Sequence, residues 1–317
     1  MIELFPFSGF QVAVLGLGPE GLASARALSL SGAEVWAWDD DPAKRAAAAA
    51  ADIPVHDLAN VDWREWVSLV IEHHIPHGTA GAHAVVSAAR AGGCEVISDA
   101  ELLARAQRDA AYVAVVSKEH AADALNVFAH VLQITGREAE VGGDAARPLL
   151  DLYGMDLGGV YAIDMPPARA DLTVSITFDA AVFLDIGTGA WPPCADRDET
   201  MAASRWVFHR QTIPKGAVIS VDSAAGRQFL EQLSAKAEQI IVPVSGRSRA
   251  PGGIYVVDGV LYDDMDGDAM AITDLPLGQS ASEQTEALLA ASVYATAIIL
   301  NISPPAAMAS LRSYYAE

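Results

Sequence analysis
The first hundred residues alternate short apolar runs with segments of helical spacing. Residues 12–15 form a β-branched run ending in glycines, 22–30 read as a helix, and 34–38 form a second run ending in Asp39, Asp40 and Asp41. Residues 69–71 and 95–97 predict further strands, with a helix over 82–91 between them and Gly92-Gly93 as its stop. The alanine-rich patch 46–51 is helical in character. Such a βαβ series implies a parallel sheet with helices on its faces. The polar helix end at 104–110 marks a boundary, so two α/β units are expected, residues 1–108 and 109–317.

The second unit opens the same way, with a strand over 112–116 and a helix over 121–132 that Gly136 stops. Strands are expected at 160–164, 180–186, 217–221 and 239–242, with helices at 200–211 and 228–236. In 254–262 two apolar runs flank Asp258-Gly259, a pair that favours a two-residue hairpin turn. Helices over 282–300 and 304–314 close the chain. The nearly apolar run 287–300 is too short for a membrane span and carries Ser292 and Thr296, so it reads as a buried helix.

Composition agrees with two units. The chain has 317 residues, 52% hydrophobic and 19% charged, enough to bury a large core, and one core rarely grows beyond about 250 to 300 residues. The net charge of −21 divides into −7 up to residue 108 and −14 after it, so neither unit offers a basic face to nucleic acid or to an anionic membrane. Cys94 and Cys194 lie far apart in no metal-ligand spacing, and the N-terminus carries no basic stretch followed by an apolar one. A cytoplasmic protein without disulfides is expected.

The first chemistry-bearing motif is Gly16-Leu-Gly18-Pro-Glu-Gly21, which follows a strand and opens a helix, with Asp39 18 residues beyond Gly21 at the end of the next strand. Glycines there permit a tight turn and bring backbone N–H groups close to a phosphate at a helix N-terminus. Gly16, Gly18, Gly21, Asp39 and Asp40 are therefore candidates for binding a nucleotide or nucleotide sugar. An NAD-dependent oxidoreductase shares this pattern. Two details weaken that reading: Glu20 places a negative charge in the first helical turn, where a pyrophosphate would sit, and no His or Lys constellation for hydride transfer follows.

In their order, these segments resemble the MurD branch of the Mur ligases, ATP-dependent enzymes that add D-glutamate to UDP-N-acetylmuramoyl-L-alanine. The resemblance rests on Val12-Ala-Val-Leu-Gly-Leu-Gly18, Gly21-Leu-Ala-Ser-Ala25, Ser31-Gly-Ala-Glu-Val35, Asp39-Asp40 and Val96-Ile-Ser-Asp-Ala-Glu-Leu102 in the first unit. Ala129-His-Val-Leu132, Gly142-Gly-Asp-Ala-Ala-Arg-Pro-Leu-Leu150 and the run from Ile302 to Arg312 carry it through the second. It implies a Rossmann-like first unit and a Mur-ligase-like central α/β unit with a β-hairpin. It also implies a third ligase domain, which is expected to be absent because the sequence ends soon after Tyr314.

The same resemblance exposes what has been replaced. The family's phosphate loop cradles a triphosphate with glycine amides, a lysine and a Mg²⁺-holding hydroxyl. The matching segment is Val115-Val-Ser-Lys-Glu-His-Ala-Ala-Asp123, with Ala121 at the lysine and Ala122 at the hydroxyl. Lys118 comes three residues early, and Glu119 and Asp123 add negative charge. The family's metal-binding glutamate falls on Asp164 and its carbamate-carrying lysine on Ser204. Its Asn-Ile-[ST]-Pro-Asp-His run falls on Asp185-Ile-Gly-Thr-Gly-Ala190, its Gly-x-His-Asn run on Gly278-Gln-Ser-Ala281, and its Ser-Pro-Gly loop near the uridine on Glu72-His73-His74.

Losing one electrostatic element of a catalytic site typically costs roughly 10² to 10³ in rate, and here every station differs. No catalytic residue is assigned, and Ala121, Ala122, Asp164 and Ser204 are read as vestigial positions. The expectation is a catalytically inactive homologue without cofactor, ATP and Mg²⁺ included. Its expected partners are a UDP-N-acetylmuramoyl compound and a cell-wall synthesis protein or a second copy of itself. A ligase completed by another chain is the alternative. His73, His74, His77 and His83 cluster within eleven residues, but solvated imidazoles rather than a metal site are expected. Asp263, Asp264, Asp266 and Asp268 read as a solvated acidic turn, and Trp36, Trp38, Trp63 and Trp66 as packing.

Overall fold
In the computed structural model, which describes all residues except Thr79, Ala80, Ala237 and Glu317, the chain builds two sheets. The first comprises β1 (Gln11–Leu15), β2 (Glu34–Trp38), β3 (Ser68–Ile71) and β4 (Glu95–Ile97), all parallel, in the order β2-β1-β3-β4. Its helices are α1 (Pro19–Leu30), α2 (Pro42–Ala50), α3 (Ala84–Ala91) and α4 (Asp99–Ala106). Their starts follow from local chemistry. Pro19 and Pro42 preset the helical φ at the first turn, the Asp41 carboxylate accepts from Ala43 N–H at 2.8 Å, and Ser98 caps Glu101 N–H at 3.2 Å.

The second sheet has nine strands: β5 (Ala111–Val116), β6 (Ala139–Gly142), β7 (Val160–Asp164), β8 (Ala180–Phe183), β9 (Gly216–Ser220), β10 (Ile240–Ser245), β11 (Ile254–Val257), β12 (Val260–Asp263) and β13 (Met270–Asp274). The order is β13-β12-β11-β10-β9-β8-β5-β7-β6, parallel from β6 to β11 and antiparallel across β11, β12 and β13. Helices α5 (Ala121–Ile134), α6 (Pro167–Ala170), α7 (Arg197–Ser204), α8 (Ala224–Ser234), α9 (Ala281–Ile299) and α10 (Pro304–Ala316) cover it. The fold is thus mixed α/β with mainly parallel sheets. β8 and β9 are buried throughout and read as uninterrupted apolar runs, as parallel strands with both faces covered do.

The hairpin turn lies where expected. Asp258 (φ 52°) and Gly259 (φ 74°) both take the left-handed conformation that such a turn demands. The expected buried helix is α9, with Ala290, Tyr294 and Ala295 fully buried and a reciprocal Ser280–Glu283 cap at its start. Among the described residues no helix is long and apolar enough to cross a membrane.

Three expectations need correction. The helix over 200–211 ends at Ser204 and tightens into a 3₁₀ turn, Arg205–Phe208, which buries Val207 and Phe208. The strand over 180–186 stops at Phe183, because Asp185 turns its carboxylate onto Gly187 N–H at 3.0 Å. Strands β6 and β13 were absent from the sequence reading, since both are edge strands too polar to show an apolar run.

Candidate functional site
The glycine-rich turn joins β1 to α1 at the point where the chain passes from one side of β1 to the other, the usual place for a ligand in an open parallel sheet. The structure brings four of the five candidates together there, Gly16, Gly18, Gly21 and Asp39. Gly16 N–H donates to Trp38 O at 2.8 Å, Leu17 N–H to Asp39 Oδ2 at 2.8 Å, and Lys44 Nζ holds the same Asp39 oxygen at 3.1 Å. Asp40 instead faces outward and meets His83 Nε2 at 3.0 Å.

The cradle itself holds a side chain of the protein. Glu72 follows β3 directly, its Oε1 accepts Gly21 N–H at 3.0 Å, and Gly18 N–H supports the same carboxylate. A Cβ on Gly16 (φ +98°) would lie 2.6 Å from Glu72 Oε2, and one on Gly18 would lie 2.6 Å from Oε1. These two glycines leave room for a carboxylate. Gly21 is required for another reason, since its Cβ would lie 2.0 Å from Gly16 O, in the close contact of helix with turn. Burial, reinforced by the nearby Glu20 charge, raises the Glu72 pKa despite these donors. Its Oε2 accepts no hydrogen bond, and His74 Nε2 is 3.6 Å away.

Beside this turn a buried ionic cluster ties the two sheets together. Arg169, fully buried, extends from α6 and pairs with Asp99 at 2.9 Å and Glu20 at 2.9 Å. It also donates to Gly143 O and Asp164 O, at 2.6 and 2.8 Å. Glu20 further meets His73 Nδ1 at 2.8 Å. Burial would raise the Glu20 pKa, but Arg169 and His73 outweigh it and bring it down to about 2. Glu101, also fully buried, accepts from Val174 N–H and Ser175 N–H at 2.8 and 2.9 Å, and His77 reaches Asp171 at 3.0 Å. Sequence reasoning singled out none of Arg169, Asp99 or Glu101, and read Glu72 only as a replaced loop residue. The available signal was an arginine and several carboxylates at otherwise apolar element starts.

The corresponding turn of the second sheet, between β5 and α5, is closed differently. Ser117 Oγ donates to Asp185 Oδ2 at 2.8 Å and accepts His120 N–H at 3.1 Å. Ala121 is buried under the helix start and Ala122 is exposed. Lys118 packs its methylenes over Gly187, where a Cβ would come within 3.1 Å of Lys118 Cδ. Asp164 ends β7 with its Oδ1 buried and unpartnered, and burial pushes its pKa up to about 6. Ser204 is fully buried and donates to Thr200 O at 2.7 Å within its own helix.

The histidine cluster disperses onto separate carboxylates: His73 onto Glu20, His74 toward Glu72, His77 onto Asp171 and His83 onto Asp40. Among the described residues no three His, Cys, Asp or Glu side chains converge as metal ligands would. A cavity of about 1070 Å³ opens beneath the start of β5 between Arg108, Trp206 and Lys215, and none of the motif residues lines it.

Comparison with known proteins agrees with this architecture. The chain is 33% identical over 320 residues to the UDP-N-acetylmuramoylalanine–D-glutamate ligase of Phenylobacterium zucineum (strain HLK1), covering 99% of this chain and 68% of that protein. The enzyme of the same name from Caulobacter vibrioides (strain NA1000 / CB15N) is 32% identical, with 98% and 68% covered. No protein-family model matches. Among solved structures, the UDP-N-acetylmuramate:L-alanyl-gamma-D-glutamyl-meso-diaminopimelate ligase from Neisseria meningitides superposes with a TM-score of 0.59 at 15% identity, over 96% of this chain and 98% of that one, which is a likeness of fold. Sequence, fold and the order of motifs agree that this chain belongs to the family of UDP-N-acetylmuramoylalanine–D-glutamate ligases, the MurD branch of the Mur ligases.

Proposed function
We propose that the chain is a catalytically inactive member of this family, with a binding or regulatory role linked to peptidoglycan precursor synthesis. The observation that carries the reading is the turn between β5 and α5. Its hydroxyl and its first free amide are engaged with each other and with Asp185, it contains no glycine, and an alanine stands where an ammonium would meet a phosphate. This donor set does not fit a triphosphate with Mg²⁺. Asp164 has one buried oxygen without a hydrogen bond and, among the described residues, no group of metal-ligating side chains converges on it as in a metal site, and Ser204 bonds its own helix, so neither supplies a metal-bridging group. No step of an ATP-driven ligation is therefore derived for this chain.

The boundary between units is placed at 108/109, and the first unit is the part expected to meet a UDP-N-acetylmuramoyl compound, around Gly16, Gly18, Gly21, Asp39 and Asp40. A cell-wall synthesis protein or a second copy of the chain is the expected macromolecular partner. The test is ADP release from ATP and Mg²⁺ in the presence of UDP-N-acetylmuramoyl-L-alanine and D-glutamate. The expected result matches a no-protein control, and substrate-dependent release well above that control overturns the proposal.

A further inference from the structure
We propose that the glycine-rich turn of the first unit is an anion site occupied in cis, with Glu72 as the residue that decides whether it admits a ligand's diphosphate. This rests on the reading of the first unit as a platform for a uridine nucleotide sugar. The turn has the components of a phosphate cradle: it lies at a helix N-terminus, at the switch point of a parallel sheet, with two amides aimed at one anionic group. The group they hold is a carboxylate whose two oxygens sit 2.6 Å from the Cβ positions of Gly16 and Gly18, where a phosphate's oxygens would need the same space. The two occupants therefore exclude each other.

Glu72 is also a poorly satisfied occupant. One of its oxygens is buried without a hydrogen bond, and its neighbours include the carboxylate of Glu20. Lys44, beside the turn on Asp39, stays available to an incoming anion, with its side chain 39% exposed. Replacing Glu72 by a small neutral residue empties the cradle, removes a like charge and leaves the donors and the lysine in place.

The experiment compares UDP binding by calorimetry for the wild type, Glu72→Ser and Glu72→Ser with Gly18→Ala, each checked for folding by circular dichroism. The expected result is a Kd for Glu72→Ser lower by roughly tenfold or more, with the gain abolished when Gly18→Ala fills the cradle with a methyl group. Equal UDP binding by wild type and Glu72→Ser overturns the proposal, as does a gain that survives Gly18→Ala. If Glu72→Ser does not fold, Glu72→Ala empties the cradle as well; a gain in the same direction supports the proposal and an unchanged Kd overturns it. ADP release by the wild type bears only on the inactive-ligase reading, so the two can fail separately.

Discussion

The two strand–turn–helix junctions, β1 to α1 and β5 to α5, occupy equivalent places in their sheets and have been closed by opposite routes. The first keeps its glycines and fills the resulting hollow with a charged side chain that arrives 51 positions further along the chain. The second contains no glycine and is closed by Ser117, a neutral residue of the turn itself, backed by Asp185. A glycine pattern specifies a backbone shape and the amides it exposes, whereas the occupant is decided by tertiary structure. Conservation of shape and retention of a ligand are thus separate properties, and the first junction has the one with its cradle already filled.

The routes also differ in energetic cost. Around the first junction, Glu20, Glu72 and Asp99 are each at most 6% exposed, and Glu20 and Asp99 share one fully buried guanidinium. Removing that cation should produce the largest effect. Arg169→Met is expected to destabilise the protein by about 3 to 5 kcal/mol, because two carboxylates remain buried without their partner. Chemical denaturation measures it; a loss below about 1 kcal/mol would show that the cluster does not hold the sheets together.

The next effect is a pH dependence at the first junction. The Glu20 pKa of about 2 in the folded protein lies below its ordinary value of 4.5. The stability it contributes is therefore fully present above pH 4.5 and is lost as the pH falls toward 2, by about 3 kcal/mol for the 2.5-unit difference. Glu72 has the opposite sign. Its raised pKa means that stability falls as the pH rises through 4.5 and then through the folded value, so Glu72→Gln should gain on the wild type between pH 4 and 7. Denaturation of wild type, Glu20→Gln and Glu72→Gln over pH 3 to 7 distinguishes these slopes, and parallel curves for all three would refute the assignment.

A smaller effect sharpens the claim that two glycines exist to accommodate Glu72. Gly18 has ordinary φ, so Gly18→Ala meets only the carboxylate, whose nearest oxygen would lie 2.6 Å from the new methyl. A loss of about 2 kcal/mol is expected in the wild type, by overpacking, and much less in Glu72→Ser, giving a coupling of about 1 kcal/mol or more. Additive losses would mean that Gly18 serves something other than Glu72.

The sheets and most helices were legible in the sequence because their apolar runs are continuous and their caps local. Ser98, Asp41 and Asp258-Gly259 announce their structures within a few residues. The occupant of the cradle was not legible, because Glu72 reaches Gly21 only once β1 and β3 pair in register. Arg169 was equally hidden, since the carboxylates that permit its burial come from α1 and α4, in the other unit. The Glu20 charge was visible in the first helical turn, but its partners lie 53 and 149 residues away. The closed second turn was more accessible, because absent glycines and a misplaced lysine are properties of the turn alone.

The smallest expected effect is at that second turn. Ser117→Ala removes one hydroxyl and leaves Asp185 Oδ2 and His120 N–H without their present partner. Asp185 and His120 are only half-buried, so water can replace the lost bonds, and the expected cost is about 1 kcal/mol rather than that of an orphaned buried group. That modest cost follows from neutral, local closure, whereas the first junction is closed by long-range charge. On the proposed inactive reading, the variant is also expected to release no ADP above a no-protein control, because freeing one amide supplies neither glycine amides nor an ammonium at Ala121. A loss near 3 kcal/mol for Ser117→Ala would place both junctions in the same energetic class, and the contrast between closure by long-range charge and closure by a neutral local residue would no longer hold.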